Sequence, residues 1–259
     1  VRWRLGVVGS PIAHSLSPRL HEAGLALAGL EGTSTRVELG DDDGAALRAM
    51  MGTRFDALSV TMPLKHVAAS LCDSLDGVAT RVGVVNSLLT REGRLYGTCT
   101  DGPGLLASLA AEFGFSPHGR HAVVLGAGGA AREIVDALIE ADVAAVSILG
   151  RTSARVAELT DRYENVDALV ERGADVGLIV NATPASSRDA PTIVGGVGED
   201  TIAVDIAYEP RRTPWRSLYD EAGCRTTNGL GMLAYQAALQ MRWWWDVDID
   251  GARLLEVIA

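Results

Sequence analysis

The run His121-Ala-Val-Val-Leu-Gly126-Ala-Gly128-Gly129-Ala-Ala-Arg132 admits few folds. Val123, Val124 and Leu125 read as a short buried strand. Ala130, Ile134, Val135 and Leu138 recur at the spacing of one helix face. Between them, Gly126 allows a tight turn and Gly128 lets backbone approach a pyrophosphate, which the free N–H groups of the helix start would hold. Ala131 stands where the third glycine of G-x-G-x-x-G would be, a change that the broader fingerprint tolerates. A plain strand-to-helix corner has the same glycines, so context decides between the two.

That context is an alternating pattern. Strands are predicted at 122–126, 145–149, 177–182, 201–206 and 224–227, with helices between most of them, and their continuous apolar character fits a parallel sheet covered on both faces. The second strand exits into Gly150-Arg151-Thr152, with Arg155 one helical turn on. A site for NAD would place a carboxylate there; cations suit a 2′-phosphate, so the predicted cofactor is NADP, the alternative being two solvated arginines at a helix start. Asn181-Ala-Thr183-Pro184 and Asp205-Ile-Ala-Tyr208 end two later strands at the edge where such sheets bind ligands. Gly229-Leu-Gly-Met232-Leu then leads into a last long helix with Gln236, Leu239 and Gln240.

The N-terminal part reads as a second sheet. A strand at 4–9 turns at Ser10-Pro11, and Ser17 is predicted to cap the helix that Pro18 opens. Ser15 has no capping duty, so two hydroxyls project from one loop, where a small polyol could be held. Strands follow at 35–39 and 57–61, with Lys65 just beyond, at a helix start where a cation is disfavoured. The acidic run Asp41–Asp43 reads as a solvated helix start. Residues 84–89 and 94–97 pair as a hairpin across Arg91-Glu92-Gly93, placing Asn86 inside an apolar strand, where it needs partners from a structural network or a ligand. Asp101 is a good N-cap for the next helix, which alone would explain it.

Composition excludes other classes. A net charge of −10 with no Lys/Arg cluster argues against nucleic acid, and no apolar run is long enough to span a membrane. Three widely spaced cysteines and five histidines show no metal or disulfide spacing, so no metal is expected and the expected location is cytoplasmic. Trp243-Trp244-Trp245 cannot all face one core on a helix.

Taken together, the motifs resemble the shikimate dehydrogenase family, with its quinate/shikimate relatives, over nearly the whole chain. Gly9-Ser-Pro-Ile-Ala-His-Ser15-Leu-Ser17-Pro18 resembles G-x-P-I-x-H-S-x-S-P, and Ser59-Val-Thr61-Met-Pro-Leu-Lys65 resembles N-V-T-x-P-x-K. Val85-Asn86-Ser87 resembles V-N-T, and Gly97-Thr-Cys99-Thr-Asp101-Gly102 resembles G-x-N-T-D-G. The segments 126–132, 150–155, 181–184 and 229–236 resemble G-A-G-G-A-x-R, N-R-T-x-x-R, N-A-T-P and G-x-G-M-L-x-x-Q.

The resemblance implies a two-domain α/β fold. Residues 1–100 plus 236–259 would form the N-terminal α/β substrate domain and 101–235 a Rossmann-like NADP-binding domain. It implies reversible reduction of 3-dehydroshikimate to shikimate, with Lys65 and Asp101 as the catalytic pair. Ser15, Ser17, Thr61, Lys65, Asn86, Asp101, Tyr208 and Gln236 would hold the substrate. Gly126, Ala127, Gly128, Gly129, Ala130, Arg151, Thr152, Arg155, Asn181, Thr183, Gly229 and Met232 would hold NADP. Small-molecule ligands, no nucleic acid, no membrane, and a monomer or homodimer are expected. Whether Lys65 acts as acid and base or by electrostatic orientation stays open. Cys99, Ser59 and Gly150 depart from the pattern, each standing where the family has Asn. The Cys99 change keeps open a paralogue acting on quinate or an amino analogue, whereas Ser59 shortens a polar group and Gly150 removes one side-chain contact to the cofactor phosphate. A non-catalytic dinucleotide sensor would be the reading had the Lys–Asp pair been lost.

Overall fold

The computed structural model describes residues 2–168, 175–184, 190–193 and 196–259. The chain divides into two compact units, Val1–Ser108 with Leu233–Ala259, and Leu109–Met232.

In the first unit, β1 (Arg2–Gly9) leads through a loop to α1 (Ser17–Leu27) and β2 (Glu31–Glu38). Then come α2 (Gly44–Met50), β3 (Ala57–Val60), α3 (Lys65–Leu71), β4 (Ser74–Leu75) and α4 (Gly77–Val82), followed by β5 (Ser87–Arg91), β6 (Arg94–Thr98) and α5 (Asp101–Phe113). Among the described residues the sheet has the order β2-β1-β3-β5-β6-β4. β1 runs parallel to both β2 and β3, whereas β5 is antiparallel to β3 and β6. Position in the sheet explains the burial. β1 is flanked on both sides and its residues 5–9 are buried, whereas edge strand β2 keeps polar side chains exposed. Glu92 and Gly93, both at positive φ (51° and 74°), make the two-residue turn between Arg91 and Arg94.

These directions gather the chemistry at one edge. The ends of β1, β3 and β6 and the start of β5 all lie there, so the loops carrying Ser15, Lys65, Asn86 and Asp101 converge. Beneath that edge Val8, Leu47, Leu58, Leu64 and Leu88 are wholly buried, each worth about 1.5–3 kcal/mol relative to exposure. Of the tryptophan run, Trp244 is buried edge-on against His21, with ring centroids 5.2 Å apart. Trp245 packs against Trp3 at 5.9 Å, and Trp243 is half-buried.

The second unit alternates β7 (His121–Leu125), α6 (Gly129–Glu140), β8 (Ala145–Leu149), α7 (Ser153–Thr160), β9 (Val166–Asp167), β10 (Val176–Asn181), β11 (Ile202–Asp205), α8 (Pro214–Glu221) and β12 (Arg225–Asn228). Its described strands are all parallel, in the order β12-β11-β10-β7-β8-β9. This is the order of doubly wound dinucleotide-binding sheets, and it reverses between β7 and β10. α9 (Leu230–Trp245) and α10 (Gly251–Ile258) complete the chain.

Three local expectations are corrected. Ser17 is not the cap of α1: Leu16 holds that position and Ser17 is the first helical residue beside Pro18, so its hydroxyl caps nothing and instead meets Ser15. Asp101 likewise begins α5 rather than preceding it. Asn86 lies just before β5 rather than within it, because the strand starts at Ser87.

Candidate active site

Lys65 opens α3 and Asp101 opens α5, and the ammonium donates to Asp101 Oδ2 in a pair whose side chains are 9% and 14% exposed. An isolated lysine would not stay at a buried helix start, where the dipole opposes it. The carboxylate compensates, and Asn86 fixes the carboxylate by donating from Nδ2 to Asp101 Oδ1 at 2.7 Å. The same amide donates to Thr100 Oγ1 at 2.9 Å and accepts at Oδ1 from the Thr100 N–H, also at 2.9 Å. Gln236 Oε1 lies 3.4 Å from both Asn86 Nδ2 and Thr100 Oγ1. Asn86 thus has the network its burial requires, and that network ends on the Lys65–Asp101 pair.

Ser15 and Ser17 pair with each other, Oγ to Oγ at 3.2 Å, in the loop that leaves β1. Arg36 on β2 donates twice to the Ser15 carbonyl, at 2.8 and 2.6 Å, and so pins that loop. Thr61 follows β3 and is anchored by its N–H to Val8 O at 2.9 Å. The first unit therefore brings Ser15, Ser17, Thr61, Lys65, Asn86, Asp101 and Gln236 into one unit, whereas Tyr208, also expected at the substrate, belongs to the second unit.

Sequence reasoning missed Arg36 and a buried chain of polar groups behind Asn86. His21 Nδ1 lies 2.8 Å from Ser34 Oγ, and His21 Nε2 lies 2.9 Å from Ser59 Oγ. Ser59 Oγ donates to Gln240 Oε1 at 2.7 Å, and Gln240 Nε2 donates to the Asn86 carbonyl at 3.0 Å. The available signal was the four-residue spacing of Gln236 and Gln240 on one helix face.

Burial pushes the His21 imidazole from its ordinary 6.5 down to about 3. Between those values the unfolded chain binds a proton that the folded chain refuses. Stability therefore falls as pH drops from about 6.5 to about 3, by at most about 1.4 kcal/mol per pH unit from this group. Urea midpoints across that window are expected to fall more steeply in the parent chain than in His21→Gln.

Cys99 faces inward. Its buried thiol donates to Val84 O at 2.9 Å and packs in the core, so this departure from the family pattern alters loop support rather than adding a group beside Asp101. Among the described residues, no three or more His, Cys, Asp or Glu side chains could hold a metal ion, and no helix is long and apolar enough to cross a membrane.

In the second unit, the glycine loop lies at the sheet's reversal point. Gly126 has φ +110°, and a Cβ on it would sit 3.0 Å from the Ala182 carbonyl oxygen beyond β10, so a side chain there is strained and tightly crowded by backbone. Gly128 is the N-cap of α6 with no side-chain cap, and a Cβ there would meet nothing within 4 Å. The first amides of α6 are thus bordered by open space, as a pyrophosphate requires. Ala127 is buried, and Gly129 and Ala130 begin the helix.

Arg151, Thr152 and Arg155 are exposed around the start of α7, with Thr152 as its N-cap. A Cβ at Gly150 would approach Val156 Cγ2 to 2.9 Å, so Val156 fills the space that a larger residue would need. Asn181 spends its side chain internally. Its Oδ1 accepts from the Thr183 hydroxyl at 2.5 Å, and its Nδ2 donates to Asp205 at 3.3 Å, which shapes the strand tips. Burial pushes the Asp205 carboxyl up, against hydrogen bonds from Thr213, Ala207 and Asn181. Gly229 passes so close to the Ile206 carbonyl that a Cβ would lie 1.8 Å away, and Met232 is buried on α9. Glycine backbone, uncapped helix start and paired arginines fit a phosphorylated dinucleotide.

Residues 7–88 match the family described as Shikimate dehydrogenase substrate binding domain, and residues 108–188 match Shikimate / quinate 5-dehydrogenase. The chain is 36% identical over 260 residues to a Shikimate dehydrogenase (NADP(+)) of Exiguobacterium, covering 97% of each chain. It is similar to the crystal structure of a shikimate 5-dehydrogenase from Thermus thermophilus in complex with NADP(H) and shikimate, with a TM-score of 0.88, 33% identity and coverage of 99% and 98% of the two chains. A ligand-free 5-ketofructose reductase of Gluconobacter is also similar, with a TM-score of 0.83, 27% identity and coverage of 98% and 96%. Sequence and structural similarity extend over almost the full length of these relatives, and the chain belongs to the shikimate dehydrogenase family.

Proposed function

We propose that the chain is an NADP-dependent shikimate dehydrogenase that interconverts 3-dehydroshikimate and shikimate, with the first unit taking the cyclohexene acid and the second the dinucleotide. The observation that carries this reading is the buried Lys65–Asp101 pair, oriented by Asn86. A sensor that merely bound a dinucleotide would have no use for such a pair, since a buried ion pair is weak support for stability.

When bound, NADP(H) supplies or takes up the hydride at its nicotinamide ring. As the ring ketone becomes an alcohol, its oxygen must gain a proton, and Lys65 Nζ carries one. Asp101 orients that ammonium and accepts from a substrate hydroxyl. Ser15, Ser17, Thr61 and Gln236 supply further hydrogen-bonding groups for hydroxyls and the carboxylate. The α6 N-terminus would hold the pyrophosphate, and Arg151, Thr152 and Arg155 the 2′-phosphate. Three cysteines with no disulfide among them support a reducing, cytoplasmic setting.

The test follows reduced-nicotinamide absorbance while the purified protein oxidises shikimate, quinate or an amino analogue, each with NADP and with NAD. Fast turnover is expected for shikimate with NADP. A preference for another acid would move the chain to a paralogue group, and binding of NADP without any turnover would leave a sensor.

A further inference from the structure

The polar chain behind Asn86 has one allowed direction. A backbone carbonyl only accepts, so the amide end of Gln240 faces Asn86 O and its Oε1 faces Ser59. Ser59 has a single hydroxyl hydrogen and must spend it on Gln240, so it accepts from His21 Nε2. His21 is therefore the tautomer with hydrogen on Nε2, and its bare Nδ1 accepts from the Ser34 hydroxyl. Ser34, His21, Ser59 and Gln240 lie far apart in sequence on four different elements, yet every hydrogen points toward Asn86.

The Asn86 carbonyl where the chain ends also accepts from Val60 N–H at 2.7 Å, and the Asn86 N–H donates to Thr98 O at 3.1 Å. These bonds hold the backbone from which the Asn86 amide reaches Asp101. We propose that His21, acting through Ser59 and Gln240, is a positioning residue that sets Asn86 and hence the alignment of the Lys65–Asp101 pair. Ser59 takes part as a relay rather than as a substrate contact, its hydroxyl hydrogen being committed to Gln240. The proposal rests on the dehydrogenase reading, and it adds residues that touch neither substrate nor cofactor.

Two measurements decide it. The first is the ring-nitrogen NMR shifts of His21 in the intact protein, assigned from the signals lost in His21→Gln. The Nε2–H tautomer is expected at neutral pH, and an Nδ1–H tautomer would reverse the chain and overturn the proposal. This reading needs no turnover, so it stands apart from the identity of the substrate.

The second is kinetic, on variants compared with the parent chain. His21→Leu keeps size but breaks the relay, and kcat for shikimate is expected to drop about tenfold, the scale of one lost hydrogen bond. KM for NADP should stay within about twofold of the parent value. His21→Gln places an N–H donor where Nε2 was and gives up only the half-buried Ser34 hydroxyl, so most of the lost kcat should return. Unchanged kcat in His21→Leu, or equal losses in Leu and Gln variants, would overturn the proposal. Should His21→Leu fail to fold, Gln240→Met breaks the relay one step nearer Asn86 and is read by the same split. Absence of turnover in the parent chain would instead refute the dehydrogenase reading.

Discussion

With Lys65 replaced by alanine, oxidation of shikimate by NADP is expected to slow by about 10³-fold, within the range of a lost general acid. Two effects combine in that number. On the proposed mechanism the reacting oxygen loses its proton source, and Asp101 loses the cation that compensates its burial. Breaking a buried ion pair costs about 3–5 kcal/mol of stability, so thermal unfolding should be measured beside kcat and will shift downward. Lys65→Met, which retains the aliphatic volume, should show the same kinetic loss with less unfolding. Affinity for NADP, measured by titration, should hardly change, since the nucleotide loop is built from residues of the other unit. On the proposed mechanism Lys65 and Asp101 act as one device, so the double replacement should cost little more than the worse single one. A loss below tenfold in folded Lys65→Ala would remove Lys65 from the chemistry.

The second large effect concerns the cofactor. Arg151→Ala and Arg155→Ala should each weaken NADP binding by about 10- to 100-fold, the scale of a charge-assisted hydrogen bond, and leave NAD binding almost unchanged. Together they should erase the preference for NADP, while kcat at saturating cofactor survives. The effect is expected to be large because Gly150 contributes no side chain, and Val156 occupies the neighbouring space. Discrimination is then expected to fall on the two guanidinium groups and Thr152. Dissociation constants for both cofactors in the single and double variants test this; a double variant that still prefers NADP would show that the 2′-phosphate is held elsewhere.

Much of this could be read from the sequence because its signals are local. Continuous apolar runs marked β7, β8, β10 and β11, and glycines at 126 and 128 marked the loop at the sheet's reversal. Where the physics is non-local, the reading failed. Val84 to Leu89 looks like one strand, yet the paired register with β3 and β6 starts at Ser87, Asn86 adds only its backbone bonds to Val60 and Thr98, and the Val85 N–H turns to Lys65 O. The two-residue strands β4 and β9 are too short to carry any periodicity. Glu31 to Ser34, at the start of edge strand β2, look like loop residues because an edge strand can stay polar. His21 could be weighed in the sequence only as a metal ligand, since its partners at 34, 59 and 240 come together only in the folded sheet. Cys99 and Ser59 were visible as departures, but which way their side chains faced was not.

The split of the chain into units has a consequence during synthesis. Leu109–Met232 is an uninterrupted stretch, so that unit has all its residues as soon as position 232 leaves the ribosome. The other unit is interrupted, and its early strands must wait for Leu233–Ala259. Until then Ser59 has no Gln240 to donate to, Asn86 has no Gln236 beside it, and His21 lacks the edge of Trp244. Chains truncated after residue 232 and released from the ribosome should therefore resist protease across the nucleotide unit while the first hundred residues stay open to cleavage. The two halves of the reaction machinery would mature in the reverse of their order in the sequence.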